Sequence, residues 1–158
     1  LNIQTLIFLE NEQYHLSIEE RERIQSYVNK KENWLEDGFL NLEGIIAFSN
    51  DRNDSIQGMD TSDELAPLWQ YYTEALDCYL KKDYATFYYP NTPIEVTFKK
   101  HSSHSLSLRI DQDEVVYETT EFIRAFQQAA ASFVELINSI SKGAYSDDLL
   151  VKVKALAK

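Results

Sequence analysis

The sequence predicts an α+β fold in one domain, with an antiparallel sheet of about four to six strands covered by two or three helices. Three observations carry that prediction. In IEVTFKK, Ile94, Val96 and Phe98 alternate with Glu95, Thr97 and Lys99, and a period of two gives a strand one dry face and one wet face. In SLSLRI, Leu106, Leu108 and Ile110 repeat the pattern, and the polar HSSH between the segments can reverse the chain into an antiparallel hairpin. The dry side of that hairpin needs a cover. Phe122, Phe126, Ala129, Ala130, Phe133, Leu136, Ile137 and Ile140 supply it, recurring at steps of three and four on one helical face.

Taken from the start, Ile3 to Leu9 is short and almost continuously apolar, which suits a buried strand. Ser17 opens S-I-E-E, a capping-box pattern that predicts a helix from about Ile18 with Ile24, Tyr27 and Val28 on one side. Asp37-Gly38 is a turn signal, and FLNLEGIIAF then reads as one strand from Phe39 to Phe48. Gly44 within it marks a bulge or a close backbone approach. Ser49 to Glu64 is polar and acidic and makes the longest loop. Asp51, Asn53 and Ser55 have the first spacings of a calcium loop, but Ile56 stands where glycine is required and Ser62 where a bidentate glutamate is required.

Thr61 and Glu64 form a second capping-box pattern ahead of a helix beginning near Glu64, where Pro67 falls early enough to be tolerated. Leu65, Leu68, Trp69, Tyr72, Leu76, Tyr79 and Leu80 form its apolar face, among which Cys78 is an inert packing residue. DYATFYYPNTP is an aromatic strand followed by a turn at Pro90, Asn91 and Pro93. VVYETT adds a strand after the hairpin. Thr119 or Thr120 caps the long helix, and Lys142-Gly143 ends it. In the tail, 144–158, Leu149, Leu150, Val153 and Leu156 share a helical face that either docks or frays.

A chain of 158 residues buries roughly two thirds of the surface its unfolded form exposes, enough for one core but not for two. Its 44% hydrophobic and 13% aromatic content excludes the disordered class. The single cysteine excludes an internal disulfide and points to a reducing, cytoplasmic setting. No apolar run reaches the ~18 residues of a membrane span, and LNIQTLIFLE lacks the basic front of a secretory signal; the missing initiator Met allows for trimming.

The net charge of −11 is concentrated early: residues 1–64 hold fourteen acids against five bases, and residues 65–158 hold twelve against ten. Such a field opposes nucleic acid and anionic lipid and favours a basic protein partner. Solubility alone is the simpler account of the same charge. His101 and His104 lack the i, i+4 spacing of a helical metal pair, and His15 is distant, so no metal is expected. Phosphate-cradling glycine loops, G-x-S-x-G and H-E-x-x-H are all missing, so the sequence identifies no catalytic residue and no cofactor.

The order of elements is strand, helix, strand, helix, a meander of three or four strands, and a final helix. From FLNLEGIIAF through the Leu65 helix, IEVTFKK, SLSLRI and the Phe122 helix, this layout resembles that of small bacterial immunity proteins that neutralise toxins. The resemblance lies in layout alone and implies an inhibitor-like role by analogy of fold. Three functions follow as expectations. The first is a protein-interaction module meeting its basic partner through Asp51, Asp54, Asp60, Asp63 and Glu64, with Tyr88 and Tyr89 as aromatic anchors. The second is a small-molecule-binding protein or enzyme with a pocket between sheet and helix lined by Trp69, Tyr72 and Tyr88. The third is a homo-oligomer joined through an exposed strand edge or the amphipathic tail.

Overall fold

The computed structural model describes residues 1–49, 55–56, 62–145 and 148–156. Strand β1 (Asn2–Leu9) buries Ile3, Thr5, Ile7 and Leu9 and leaves alternate residues partly exposed. A turn with Gln13 at φ 56° returns the chain as β2 (Tyr14–Ser17), antiparallel to β1. This strand was not expected, and it displaces the predicted helix start. Ser17 is held extended opposite Leu6, so α1 (Arg21–Lys30) begins later, with Glu20 at its N-cap making no side-chain capping bond. Ile24 and Val28 of α1 are buried as the pattern requires.

The segment expected as one strand from Phe39 to Phe48 is broken in two. Asp37 and Gly38 both have positive φ, 51° and 83°, the combination of a type I′ hairpin turn. They fold β4 (Phe39–Leu40) onto β3 (Leu35–Glu36), and the Asn41 amide donates to the Trp34 carbonyl at 2.7 Å. The long strand β5 (Glu43–Ser49) then pairs with β1, with β6 (Ser55–Ile56) and with β7 (Asp63–Glu64). Gly44 marks a close backbone approach: a Cβ there would overlap the Leu6 carbonyl oxygen of β1.

Helix α2 (Leu65–Lys82) starts where the pattern put it and buries Leu65, Leu68, Trp69, Tyr72, Leu76 and Tyr79. Glu64 is its N-cap without a side-chain capping bond, and Asp83, in the left-handed region at φ 63°, ends it. A meander follows: β8 (Tyr84–Tyr88), β9 (Glu95–Lys100), β10 (Ser105–Ile110) and β11 (Asp113–Glu118), in the order β11-β10-β9-β8. Val96, Phe98, Leu106, Leu108 and Ile110 face inward as their alternation predicts. Helix α3 (Thr119–Ile140) is capped by Glu118 rather than by a threonine. The Glu118 carboxylate accepts from the amides of Thr120 and Glu121, at 3.2 and 2.6 Å. Those bonds hold its pKa below the usual carboxylate value.

The fold is α+β and antiparallel, with its strands divided between a five-stranded sheet, the four-stranded meander and the β3-β4 hairpin. One aromatic core serves both larger sheets. Phe48 of β5 lies 5.2 Å from Tyr72 and 6.1 Å from Phe122 between ring centres, and Phe98 of β9 meets the same two rings. Trp69 of α2 packs on Phe126 and Phe133 of α3. The tail docks: α4 (Asp148–Lys154) buries Leu149 and Val153, Leu156 is buried just beyond it, and Gln127 of α3 donates to the Val153 carbonyl at 3.1 Å. Among the described residues no helix is long and apolar enough to cross a membrane.

Candidate functional site

The β3-β4 hairpin presents its two residue pairs differently. Leu35 faces Leu40 on the core side, whereas Glu36 faces Phe39 on the water side. Phe39 is therefore 74% exposed, the most exposed large apolar side chain among the described residues. A single exposed apolar side chain is ordinary on a protein surface, so this ring, at the exit of a tight two-residue turn, becomes notable through its surroundings.

Beside the hairpin, β7 pairs with β5 in a register that sets Glu43 directly opposite Glu64 and Gly44 opposite Asp63. Both glutamates are exposed. Like charges directly opposed across an antiparallel pair destabilise it, and a cation placed between them would relieve that cost. Glu64 also lines a cleft of about 540 Å³ between the hairpin, the start of α2 and α4, whose walls include Phe39, Pro67, Tyr145 and Leu149. The cleft thus combines an exposed aromatic ring, an apolar wall and the Glu64 carboxylate, with Asp148 and Lys152 also in its lining and Glu43 facing Glu64 across the strand pair. A lysine or arginine side chain suits this mixture, because its stem packs on apolar surface while its head meets a ring face or a carboxylate.

Asp63 has a different role from its neighbour. It is only 3% exposed, and its carboxylate accepts from the Glu64 amide at 2.7 Å, the Asn91 amide at 2.9 Å, the Asn91 side chain at 3.0 Å and the Thr92 hydroxyl at 2.8 Å. It ties the Pro90–Pro93 turn to the start of α2. The structure thus separates two residues that the sequence analysis grouped: Glu64 reaches solvent, and Asp63 is a buried fastening. Asp51, Asp54 and Asp60 lie outside the described residues.

The aromatic stretch divides in the same way. Tyr88 is 58% exposed and donates to Glu95 at 2.9 Å, a bond to the neutral phenol that raises its pKa. Tyr89 is 6% exposed, its hydroxyl 3.3 Å from that of Tyr72. Trp69 and Tyr72 are fully buried among aromatic rings. Burial first, and Tyr89 second, push the Tyr72 phenol well above its ordinary pKa. A pocket lined by Trp69, Tyr72 and Tyr88 does not form, since the first two fill the core and the third faces water on the opposite side of its strand. His101 and His104 are exposed in the β9-β10 turn, and His15, whose pKa is lowered by burial, is bonded to Ser62 at 3.0 Å.

Sequence reasoning missed Phe39 and Glu43. Phe39 read as the first residue of a strand, yet the Asp37-Gly38 signal beside it was enough to place it at the exit of a tight turn. Glu43 becomes notable only through its register with Glu64, twenty-one positions away, which no local pattern encodes. No protein family, no curated protein and no solved structure is found to match this chain.

Proposed function

We propose that this chain is a protein-binding module of the inhibitor or immunity type, whose acidic surface receives a basic partner at the Phe39 cleft. The opposed pair Glu43 and Glu64 beside a 74% exposed phenylalanine is the observation that carries this reading. The wider field agrees with it. Glu19, Glu20, Glu22, Glu32, Glu36 and Asp37 are all exposed, while two of the few early cations are already engaged, Arg23 with Glu12 and Lys31 with Glu10. The distributed charge accelerates encounter with a basic surface, and the Phe39 ring with its apolar wall holds the complex once formed.

The test compares two baits in the same native lysate at low and moderate salt: the unaltered chain, and the variant Phe39→Ala, Glu43→Lys, Glu64→Lys. All three positions are exposed, so the variant keeps its core. The expected result is a basic protein retained in stoichiometric amount by the unaltered chain, lost as salt rises and absent from the variant. Identical retention by both baits sinks the assignment of this cleft.

A further inference from the structure

Strand β8 ends the sheet order β11-β10-β9-β8, so among the described residues one of its sides meets no strand. The Lys100 amide donates to the Asp83 carbonyl at 3.1 Å, and the Tyr89 amide donates to the Ile94 carbonyl at 3.0 Å. Odd-numbered residues of this segment therefore turn their backbone groups towards β9, and the alternation of an antiparallel ladder turns those of Tyr84, Thr86 and Tyr88 outward. The Tyr84 carbonyl accepts from the Cys78 thiol at the long distance of 3.8 Å. From Tyr84 to Tyr88 the strand reads YATFY, without a charge or a proline. Those are the devices that ordinarily keep an open edge from pairing.

We infer that this edge pairs with the β8 of a second copy of the chain, antiparallel, about a twofold axis at Thr86. The sequence of the strand is complementary to itself in that register. Tyr84 stands opposite the partner's Tyr88 on one face and Thr86 opposite its own equivalent, pairings of the kind that stabilise antiparallel strands. On the other face small Ala85 meets the partner's large Phe87.

Charge supports the same arrangement. Within each sheet Lys99 lies beside Tyr84 and Glu95 beside Tyr88. Each row crossing the joint thus runs from Lys99 through two tyrosines to the Glu95 of the second copy, with opposite signs at its ends. A parallel pairing would set like signs at both ends. On the inner side, the groove of about 390 Å³ between β8 and α2 is lined by Tyr71, Ala75, Cys78 and Phe87, apolar surface that the second copy would close. Glu74 in that groove is bonded to Gln70 at 3.1 Å and paired with Lys152 at 3.8 Å. The joint is isologous and closes after two copies, with about six new ladder bonds from three outward-facing residues.

Sedimentation equilibrium across a concentration series reads the dimer directly, with Thr86→Lys as the variant. Thr86 is exposed and its backbone groups are not used in the sheet, so this variant gives up only the bond of its hydroxyl to the Val96 carbonyl, 3.0 Å, and the contact with the Thr97 hydroxyl, and it keeps a native circular-dichroism spectrum while placing two ammonium groups together at the axis. A dimer whose dissociation constant rises at least about tenfold in Thr86→Lys is the expected result. Thr86→Cys on a Cys78→Ser background adds a positional readout: mild oxidation should link two chains through residue 86. A monomer at ~100 µM overturns the inference and leaves the edge to a strand of another protein. A dimer that Thr86→Lys leaves untouched overturns it as well.

Discussion

Replacing Asp63 by alanine removes the acceptor of four donors at once, two of them backbone amides. Buried donors left without partners are costly, and bonds to a charged acceptor are the stronger kind, so Asp63→Ala should lower unfolding free energy by about 3 kcal/mol or more in urea titration. An effect no larger than that of a surface substitution would remove the fastening role. Tyr117 is the opposite case: its hydroxyl is buried with no hydrogen-bond partner among the described residues. Tyr117→Phe deletes that hydroxyl without leaving another group unpaired, so stability should stay level or rise by about 1 kcal/mol. Alkaline titration reads the same residues. Burial raises the phenols of Tyr72, Tyr89 and Tyr117 above their ordinary value, so the native chain keeps protons that the unfolded chain loses from about pH 10. Their stabilisation is whole below that pH and declines as pH climbs through the raised native values, with a shallower decline in Tyr117→Phe. None of this was visible in sequence, where Asp63 looked like one more acid of a polar loop and the stretch from Tyr84 to Tyr89 suited core and surface alike.

Elements with many residues on one pattern were legible, and elements of two to four residues were not. α2, α3, β9 and β10 each offer enough alternating or three-four repeats to define a face, and the structure buries those faces. YHLS and the pairs Leu35–Glu36 and Phe39–Leu40 are too short to show a period; their pairing is decided by partners and turns. Thr61 of the second capping box lies outside the described residues, while two other expected caps, Ser17 for α1 and a threonine for α3, failed for a related reason. Ser17 is committed to the β1 ladder, and Glu118, one residue ahead of the expected threonines, has the longer side chain that reaches two amides. Gly44 was legible as a close approach, and it sets a sharp expectation for β5. A methyl group there meets the Leu6 backbone and the Leu65 side chain, and backbone cannot step aside as a side-chain tip can. Gly44→Ala should destabilise the protein by at least about 2 kcal/mol, the cost of overpacking, whereas a value near zero in thermal unfolding would mean that β1 and β5 are not so closely apposed.

At the scale of the molecule, division into two sheets was not legible, because sheet membership is set by contacts between residues far apart in the chain. Phe122 shows how those sheets are joined. Its ring lies 6.1 Å from Phe48 in the first sheet and 5.8 and 5.1 Å from Phe98 and Tyr117 in the second. A side chain that touches both cannot be lost from one alone, so the two sheets should unfold together. Two tryptophans report on this independently: Trp34, half-buried beside the β3-β4 hairpin, and Trp69, buried between α2 and α3. Single-tryptophan variants, Trp34→Phe and Trp69→Phe, would then follow one transition each under urea. Once corrected for the cost of each substitution, the two curves should share a slope, the mark of the same cooperative unit. Phe122→Ala should move both midpoints in step to lower urea, by the concentration equivalent to the ~3–5 kcal/mol expected for emptying a large core site. If it displaced the Trp69 transition and left that of Trp34 in place, the hairpin and its neighbouring sheet would be folding apart from the meander, and the shared aromatic core would not be what holds them.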